Sequence, residues 1–185
     1  MPPPLDRVAA FFTRREADTY RYSPLDEKAS QIRLVTLLPW QFSSKIRIRL
    51  HTEQLTAENH PKYEALSYAW GSTKDLVEIS VCSDRRHTVA ITQNLARALL
   101  YLRYQYRKRV LWIDAVCVNQ KDLKERSQQV KRMASIFSMA QRVVVWLGEE
   151  GPGSTLALQT LDKLSTKIGV SRQVRKAKPA SGQPS

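Results

Sequence analysis

The chain has 185 residues, of which 42% are hydrophobic, and a formal net charge of +13. This length and this hydrophobic content are enough for the core of one domain. No apolar run approaches the length of a membrane span, and no long apolar segment follows a basic N-terminus, so the sequence predicts neither a transmembrane helix nor a secretory signal. The two cysteines, Cys82 and Cys117, stand outside any zinc-ligand spacing. We therefore expect no metal site and a reduced, cytoplasmic environment.

The positive charge is concentrated in two stretches. Beyond Asp162 the chain is basic and has no acidic residue. Four further basic residues close the first predicted helix: Arg103, Arg107, Lys108 and Arg109. Such clusters can bind nucleic acid or an anionic membrane, but here they lack the regular interleaving with aromatic residues that a single-strand binder shows. We interpret them as a solvated helix end and a disordered basic tail over residues 169–185, and we expect no nucleic-acid partner.

The first part of the chain, residues 1–24, is predicted to be an N-terminal extension. It is rich in proline at its start, and Ser23 is biased away from helix because it precedes Pro24. Two strand candidates follow, Gln31–Leu38 and Lys45–Leu50, and the second alternates apolar and basic residues as a half-exposed antiparallel strand does. We expect the two to form a hairpin, a β extension ahead of the main fold.

The predicted core begins with a strand at Tyr63–Gly71. Two short alternating pieces after it, Glu78–Cys82 and His87–Ile91, predict a small hairpin. From Thr92 the apolar period changes to that of an amphipathic helix, with either Thr92 or Asn94 as its N-cap. The apolar stripe of this helix consists of Leu95, Ala98, Leu99, Leu102 and Tyr106.

Two further strand–helix units follow along the chain. Val110–Ala115 and Arg142–Gly148 are short apolar runs that predict strands buried on both faces. Between them lies a second helix, for which Asp122 and Glu125 have the spacing of a capping box. Its predicted apolar face consists of Val130, Met133, Ala134, Phe137 and Ala140. A third helix is predicted over residues 154–168, with Leu156, Leu158, Leu161 and Leu164 as its apolar residues.

This alternation of buried strands and amphipathic helices predicts an α/β fold with a parallel sheet and right-handed crossovers. Three core strands are few for such a sheet. Either the early strands complete the sheet or the chain stops before the domain does. In open sheets of this kind, ligands bind beyond the carboxyl ends of the parallel strands, so functional side chains are expected there.

A tryptophan stands near the end of each core strand, followed by polar or flexible residues. Trp112 and Trp146 lie inside apolar runs and are predicted to plug the core, as buried tryptophans do. Trp70 stands beside Tyr68 and Gly71 and is a candidate for lining a pocket. These three neighbours are therefore predicted ligand contacts.

The stretch LWIDAVCVNQ, residues 111–120, carries the other candidate ligand contacts. Asp114 ends the second core strand and can either bind a ligand or accept backbone hydrogen bonds in the following loop. Asn119 and Gln120 carry donors and acceptors that suit a sugar or a base edge, or they are ordinary loop residues. Cys117 has no histidine near it in sequence to activate it, which favours a buried, inert thiol.

The motifs of the common nucleotide-binding and hydrolytic sites are absent from the sequence. There is no Walker-type loop, no GxGxxG, no GxSxG and no HExxH. With six glycines in all, the chain is poorly supplied with the loops that cradle phosphates. The residues alone leave open whether the chain is an enzyme.

Five segments together resemble the fungal heterokaryon incompatibility (HET) domain. They are YEALSYAWG at 63–71, ITQNLARAL at 91–99, LWIDAVCVNQ at 111–120, ERSQQVKRM at 125–133 and VVVWLG at 143–148. They occur in the family's order and at its usual spacings, and the lead-in YRYSPL and IRLVTLLP looks like the family's N-terminal approach. The resemblance indicates a domain at 25–168 with core motifs at 63–148. Because proteins of the family usually run much longer, we expect a short or truncated member.

That resemblance implies a cytoplasmic effector of non-self recognition and regulated cell death in filamentous fungi. It implies action by self-association or with other proteins of the incompatibility pathway. The family is thought to be distantly similar to TIR domains, some of which cleave NAD, so a TIR-like or flavodoxin-like sheet is expected, with no cofactor and with NAD as a candidate substrate. In the region that corresponds to the TIR catalytic helix, Glu149 and Glu150 precede the third helix and Asp162 lies within it. The alternatives are a TIR-like NAD glycohydrolase with Glu149 and Glu150 as catalytic candidates, and an inactive fragment of a longer protein.

Overall fold

A computed structural model describes residues 18–41, 44–58, 60–82 and 86–151, together with Ser154 and Gln159. The start of the predicted extension, nearly all of the third predicted helix and the basic tail lie outside the described residues. The strands are β1 (Asp18–Thr19), β2 (Gln31–Leu37), β3 (Arg47–Gln54), β4 (Glu64–Tyr68), β5 (Leu76–Cys82), β6 (Arg86–Thr92), β7 (Arg109–Trp112) and β8 (Arg142–Trp146). The helices are α1 (Gln93–Leu102), α2 (Asp114–Cys117) and α3 (Leu123–Ser138).

The strands within the described ranges form one mixed sheet in the order β1-β6-β5-β3-β2-β7-β4-β8. The three predicted core strands, β4, β7 and β8, are neighbours, and β4 is parallel to both of the others. The predicted hairpins are also present, because β2 pairs with β3 and β5 pairs with β6 in antiparallel register. The prediction of an α/β fold with a partly parallel sheet is confirmed. No helix in the described part of the chain is long and apolar enough to cross a membrane.

The early hairpin is an integral part of the sheet rather than an extension ahead of the fold. Strand β2 lies between β3 and β7, and six of its seven residues are buried. Such near-continuous burial requires cover on both faces, as in the central strands of an α/β sheet. The early strands therefore complete the sheet that the three core strands begin.

The first helix is shorter than its predicted apolar stripe. Thr92 is its N-cap and accepts a hydrogen bond from the N–H of Leu95. The helix ends at Leu102, because Arg103 turns into extended backbone, and Tyr106 is exposed. The guanidinium of Arg103 is part of the reason, since it donates to three backbone carbonyl oxygens, those of Gln41, Ser44 and Lys45.

The sequence predicted that the four basic residues after α1 are a solvated helix end. Arg107 and Lys108 are exposed as predicted, whereas Arg103 is buried and the Arg109 side chain is 9% exposed. Arg109 begins β7 and pairs with the half-buried carboxylate of Glu64, which Arg142 also contacts. Arg107 lies over the ring of Tyr104, with its Cζ 3.9 Å from the ring centroid. Basic and aromatic side chains are therefore in contact here, although their linear spacing is irregular.

The buried face of α3 agrees with the predicted one only in part. Met133, Phe137 and Ala140 pack against the core as predicted. The most buried residues, however, are Glu125, Gln129 and Ile136, and Val130 is exposed. The reason is a single buried cation on β2, Arg33, which is 2% exposed and requires a carboxylate partner. Glu125 supplies that partner, so the polar side of α3 turns inward at its first half.

Candidate functional site

Three of the predicted ligand contacts meet where the parallel strands end. We call Tyr68, Trp70, Asp114, Asn94 and Trp146 the strand-end cluster. The indole N–H of Trp70, after β4, donates to Oδ2 of Asp114, after β7, at 2.8 Å. The other oxygen, Oδ1, accepts a hydrogen bond from the N–H of Ala115 at 2.8 Å. Asp114 thus joins two strand ends and also accepts a backbone hydrogen bond in the first turn of α2, as one of its two predicted roles requires. Its role as a ligand contact stays a prediction.

Tyr68 lies beside the carboxylate of Asp114 at the end of β4. Burial, followed by the negative charge of Asp114, raises the pKa of Tyr68 above its ordinary value. The phenol stays protonated at neutral pH, and its hydroxyl is buried. A carboxylate, an indole and a phenol stand together at these strand ends.

Asn94 completes the cluster, although the sequence suggested it only as an alternative helix cap. Its Nδ2 donates to the carbonyl oxygen of Ala69 at 2.5 Å, and its Oδ1 accepts from the indole N–H of Trp146 at 3.0 Å. One amide therefore ties the N-terminus of α1 to the ends of β4 and β8. Its place in the segment ITQNLARAL, where a polar residue follows the Thr92 cap, was the available signal.

Gly71 lets the loop after β4 approach Asn94 closely. Its φ is +75°, a left-handed conformation that strains any residue with a side chain. A Cβ at this position would also stand 3.4 Å from the Cβ of Asn94. The glycine is therefore required by the local backbone, and any ligand contact it makes would be through that backbone.

The three tryptophans near the strand ends differ in burial as the sequence predicts. Trp112 and Trp146 are buried, and Trp112 packs edge-on against Phe137 of α3. Trp70 is 43% exposed and can reach a ligand while it holds Asp114.

Asn119 and Gln120 shape the loop after α2. The side chain of Asn119 accepts a hydrogen bond from the N–H of Lys121, and Nε2 of Gln120 donates to the carbonyl oxygen of Asp114 at 2.9 Å. Gln120 therefore stands next to the strand-end cluster through the backbone of Asp114. The described contacts of Asn119 are those of a turn residue.

Glu125 braces this loop, which corrects its predicted part in a capping box. Asp122 is the N-cap of α3 and accepts from the N–H groups of Lys124 and Glu125. The N–H of Asp122, however, donates to the carbonyl oxygen of Asn119 rather than to Glu125. The Glu125 carboxylate instead contacts both terminal nitrogens of Arg33 and accepts from the N–H of Asn119 at 2.7 Å. The buried charge of Arg33 outcompetes the reciprocal cap.

Glu149 and Glu150 follow β8 on the exposed loop at the same end of the sheet. Glu149 forms an ion pair with Arg97 of α1. The pair involves Oε2 of Glu149, and the side chain is 42% exposed, so a ligand that reaches this carboxylate would also meet the guanidinium of Arg97. Within the described part of the chain, no three histidine, cysteine, aspartate or glutamate side chains are grouped as metal ligands.

Cys117 is buried at the end of α2. Burial raises the pKa of its thiol from 9.0 to about 12, and this outweighs the opposing hydrogen bond from the N–H of Ile113. A thiol held protonated in this way is a poor nucleophile.

Because the Cys117 thiol is buried, we expect the free energy of unfolding to decrease at alkaline pH. Below the ordinary thiol pKa both the folded and the unfolded chain hold the Cys117 proton, so its contribution to stability is fully present. Between pH 9.0 and about 12 only the unfolded chain releases it, so the free energy of unfolding falls. Urea denaturation at about pH 8 and about pH 10 should show a smaller decrease for Cys117→Ala than for the wild type. Equal decreases for the two proteins would contradict the assignment.

Comparison with known proteins agrees with the five sequence segments. A family model described as "Heterokaryon incompatibility protein (HET)" matches residues 63–182. "Heterokaryon incompatibility protein 6, OR allele" of Neurospora crassa is 34% identical over 161 residues, which cover 81% of this chain and 23% of that protein. The chain thus spans about a quarter of the length of this relative. No solved structure matches significantly. The strand-end cluster and its bracing loop are built from the matched residues, and the chain belongs to the heterokaryon incompatibility family.

Proposed function

We propose that this chain is the effector domain of an incompatibility response, which acts in the cytoplasm through self-association or by binding another protein of that pathway. The observation that carries the proposal is its similarity, over most of its length, to a protein named for heterokaryon incompatibility. That relative is much longer, and the proposal concerns only the region that the two chains share.

The contacts of the strand-end cluster support binding rather than chemistry. Both oxygens of Asp114, both polar atoms of the Asn94 amide and Oε2 of Glu149 already have protein partners. A catalytic group must reach its substrate with a free acceptor or donor. Satisfied polar networks instead fix side chains in one arrangement, which suits a rigid recognition surface.

The sheet supports a TIR-like or flavodoxin-like core for this domain. Trp146 packs with Tyr101 of α1, whereas Trp112 packs with Phe137 of α3. On the neighbouring strand β4, Trp146 pairs with Tyr68 and Trp112 pairs with Ala65. Tyr68 and Ala65 are three residues apart, so their side chains point to opposite faces of the sheet. Because side chains alternate along a strand, α1 and α3 cover opposite faces, as in a doubly wound sheet.

Controlled association in a filamentous fungus tests the proposed function. The chain is expressed from an inducible promoter as a fusion to a domain that dimerises when a small molecule is added. We expect growth arrest on addition of the dimeriser. With Asp114→Asn, at least about ten-fold more colonies should survive addition of the dimeriser than with the wild type. The reason is that loss of the carboxylate charge weakens the hydrogen bond from the Trp70 indole. The matched control is Glu78→Gln, an exposed carboxylate change on β5 that should arrest growth like the wild type.

The outcomes of that experiment decide between mechanisms. Normal growth with and without the dimeriser, at protein levels verified by immunoblot, would contradict an effector function of this chain. Arrest that is independent of the dimeriser would contradict control by self-association. Equal arrest by Asp114→Asn and Glu78→Gln would remove the strand-end cluster from the mechanism.

NAD cleavage is a second candidate function, favoured by the position of the strand-end cluster. A carboxylate, an indole and a phenol stand at the carboxyl ends of parallel strands, where α/β sheets bind nucleotides. In this reading Asp114 and Gln120 contact the nucleotide and Glu149 or Glu150 acts on the glycosidic bond. The same cultures provide the test, since NAD content would fall before growth stops. Unchanged NAD content during arrest would contradict this assignment. So would NAD depletion by both Glu149→Ala and Glu150→Ala that equals depletion by the wild type.

A further inference from the structure

The amino ends of the parallel strands β4, β7 and β8 form the edge of the sheet opposite to the strand-end cluster. The first residues of these strands are Glu64, Arg109 and Arg142. They are in contact at this edge, because both arginines form ion pairs with the Glu64 carboxylate. Two guanidiniums share one carboxylate, so this group of side chains keeps a positive charge.

The chain that follows β2 lies at the same edge. Leu37, the last residue of β2, is the register partner of Arg109. The N–H of Trp40 donates to the carbonyl oxygen of Tyr104 at 3.3 Å, so the segment after β2 contacts the segment between α1 and β7. The buried Arg103 holds the two segments together, because it belongs to the second and donates to three backbone carbonyl oxygens of the first.

Aromatic rings and guanidiniums are paired on these two segments. Cζ of Arg47 lies over the Trp40 ring at 6.0 Å from its centroid, and Cζ of Arg107 lies over the Tyr104 ring at 3.9 Å. Trp40 is nevertheless 54% exposed, and Tyr106 is 86% exposed. Exposed aromatic faces beside arginines are typical of binding surfaces rather than of cores. We call the following residues the basic–aromatic surface: Trp40, Arg47, Tyr104, Tyr106, Arg107 and Lys108.

The exposed cations of this edge carry charge that no described carboxylate neutralises. Lys45, Arg47, Arg107 and Lys108 are exposed, and none of them forms an ion pair with a described residue. Exposed cations of this kind bind phosphate groups, and exposed aromatic rings stack on unpaired bases. A surface that offers both is complementary to a single-stranded nucleic acid.

An anionic membrane would also be attracted by the charge, but the exposed apolar residues favour a nucleic acid. Binding to a membrane surface depends on the apolar area that enters the lipid. Among the described residues, the exposed large aliphatic side chains belong to β5, α3 and β8 or follow β8 directly. The two segments at this edge expose the rings of Trp40 and Tyr106 instead, and flat rings suit stacking on bases.

We propose that the basic–aromatic surface binds single-stranded nucleic acid, with Trp40 and Tyr106 stacked on bases and the neighbouring cations on phosphates. Rings and cations of this kind do not read the sugar, so RNA and single-stranded DNA share the required chemistry. The sequence predicted no such partner because the surface is assembled from two segments that are far apart along the chain. It lies opposite to the strand-end cluster, so the inference goes beyond the proposed effector function and does not depend on it.

Fluorescence anisotropy with the purified full-length chain tests this binding. The probe is a labelled oligothymidylate of about 12 nucleotides, which is within the site sizes of known single-strand binders. The control probe is an abasic strand of the same length, which has the phosphates but no bases. We expect the chain to bind oligothymidylate at least about five-fold more tightly than the abasic strand, as the loss of one stacked base predicts.

Two substitutions of Trp40 separate stacking from apolar contact. Trp40→Leu keeps an apolar side chain but removes the ring, whereas Trp40→Phe keeps a ring. We expect Trp40→Leu to weaken oligothymidylate binding at least about five-fold and to leave abasic-strand binding unchanged. Trp40→Phe should retain most of the affinity. Thermal unfolding verifies that both variants are folded.

A pair of double variants tests the phosphate contacts independently of the ring. Arg47→Gln with Arg107→Gln should reduce the slope of log affinity against log salt by about 1.4, because each phosphate contact on a single strand contributes about 0.7. The matched control is Arg126→Gln with Lys131→Gln, which removes the same charge from exposed positions of α3 and should leave the slope unchanged. The other basic residues of the chain are common to both double variants.

Several outcomes would overturn the proposal. One is equal affinity of the wild type for oligothymidylate and the abasic strand, and another is equal oligothymidylate affinity of Trp40→Leu and the wild type. Equal salt slopes for the two double variants would exclude Arg47 and Arg107 from phosphate binding and overturn it as well. Binding to vesicles of phosphatidylcholine and phosphatidylserine, without binding to oligothymidylate, would assign the surface to a membrane instead.

Discussion

Replacement of Arg33 by alanine is expected to destabilise the domain by about 3–5 kcal/mol, because it strands a buried carboxylate. The side chains of Arg33 and Glu125 are 3% and 8% exposed, and Arg33 also donates to the carbonyl oxygens of Ser23 and Cys117. Without the guanidinium, Glu125 keeps only the N–H of Asn119 as a partner in the described contacts. The measurement is the midpoint and slope of urea denaturation.

Two controls separate burial from mere loss of an ion pair. Arg97→Ala removes the exposed pair with Glu149 and should cost less than about 1 kcal/mol. The double variant Arg33→Met with Glu125→Leu should recover much of the loss, because it removes both buried charges together. Equal destabilisation by Arg33→Ala and Arg97→Ala would contradict a structural role of the buried pair.

Trp112→Ala is the second substitution with a large expected effect, about 3–5 kcal/mol. Its indole is fully buried, and its ring centroid lies 5.6 Å from that of Phe137. The matched control is Trp70→Ala at the end of the neighbouring strand, which is half-exposed and should cost about 1 kcal/mol through its hydrogen bond to Asp114.

The two tryptophans should also differ in their effect on function. Trp70→Ala frees Oδ2 of Asp114 and should impair growth arrest in a chain that remains folded. Thermal unfolding of both variants, compared with the growth assay, provides the measurement. A large stability loss for Trp70→Ala, or a small one for Trp112→Ala, would contradict the assignment of Trp112 to the core and of Trp70 to the exposed strand-end cluster.

Much of the site could be predicted because strand ends are visible in the sequence. Apolar runs end at Trp70, Asp114 and Gly148, and parallel strands bring their carboxyl ends to one edge. The sequence could not show that Asp114 and Trp70 are partners, since that bond joins strands 44 residues apart. The pairing of Arg97 with Glu149 was hidden for the same reason, because distance along the chain carries no information on side-chain contact.

What the sequence by itself determined is the order of β4, α1, β7, α3 and β8 and the family to which the chain belongs. It did not predict the short helix α2 (Asp114–Cys117), which begins inside the strand predicted over Val110–Ala115. Local periodicity decides whether a segment is a helix or a strand, and these segments are strongly periodic. Only the tertiary structure decided that β2 is a central strand and that α3 turns Glu125 inward toward Arg33. The position of β2 depends on its pairing with β3 and with the distant β7. The orientation of α3 depends on the partner that the buried charge of Arg33 requires, and burial of a charge is a property of the assembled sheet.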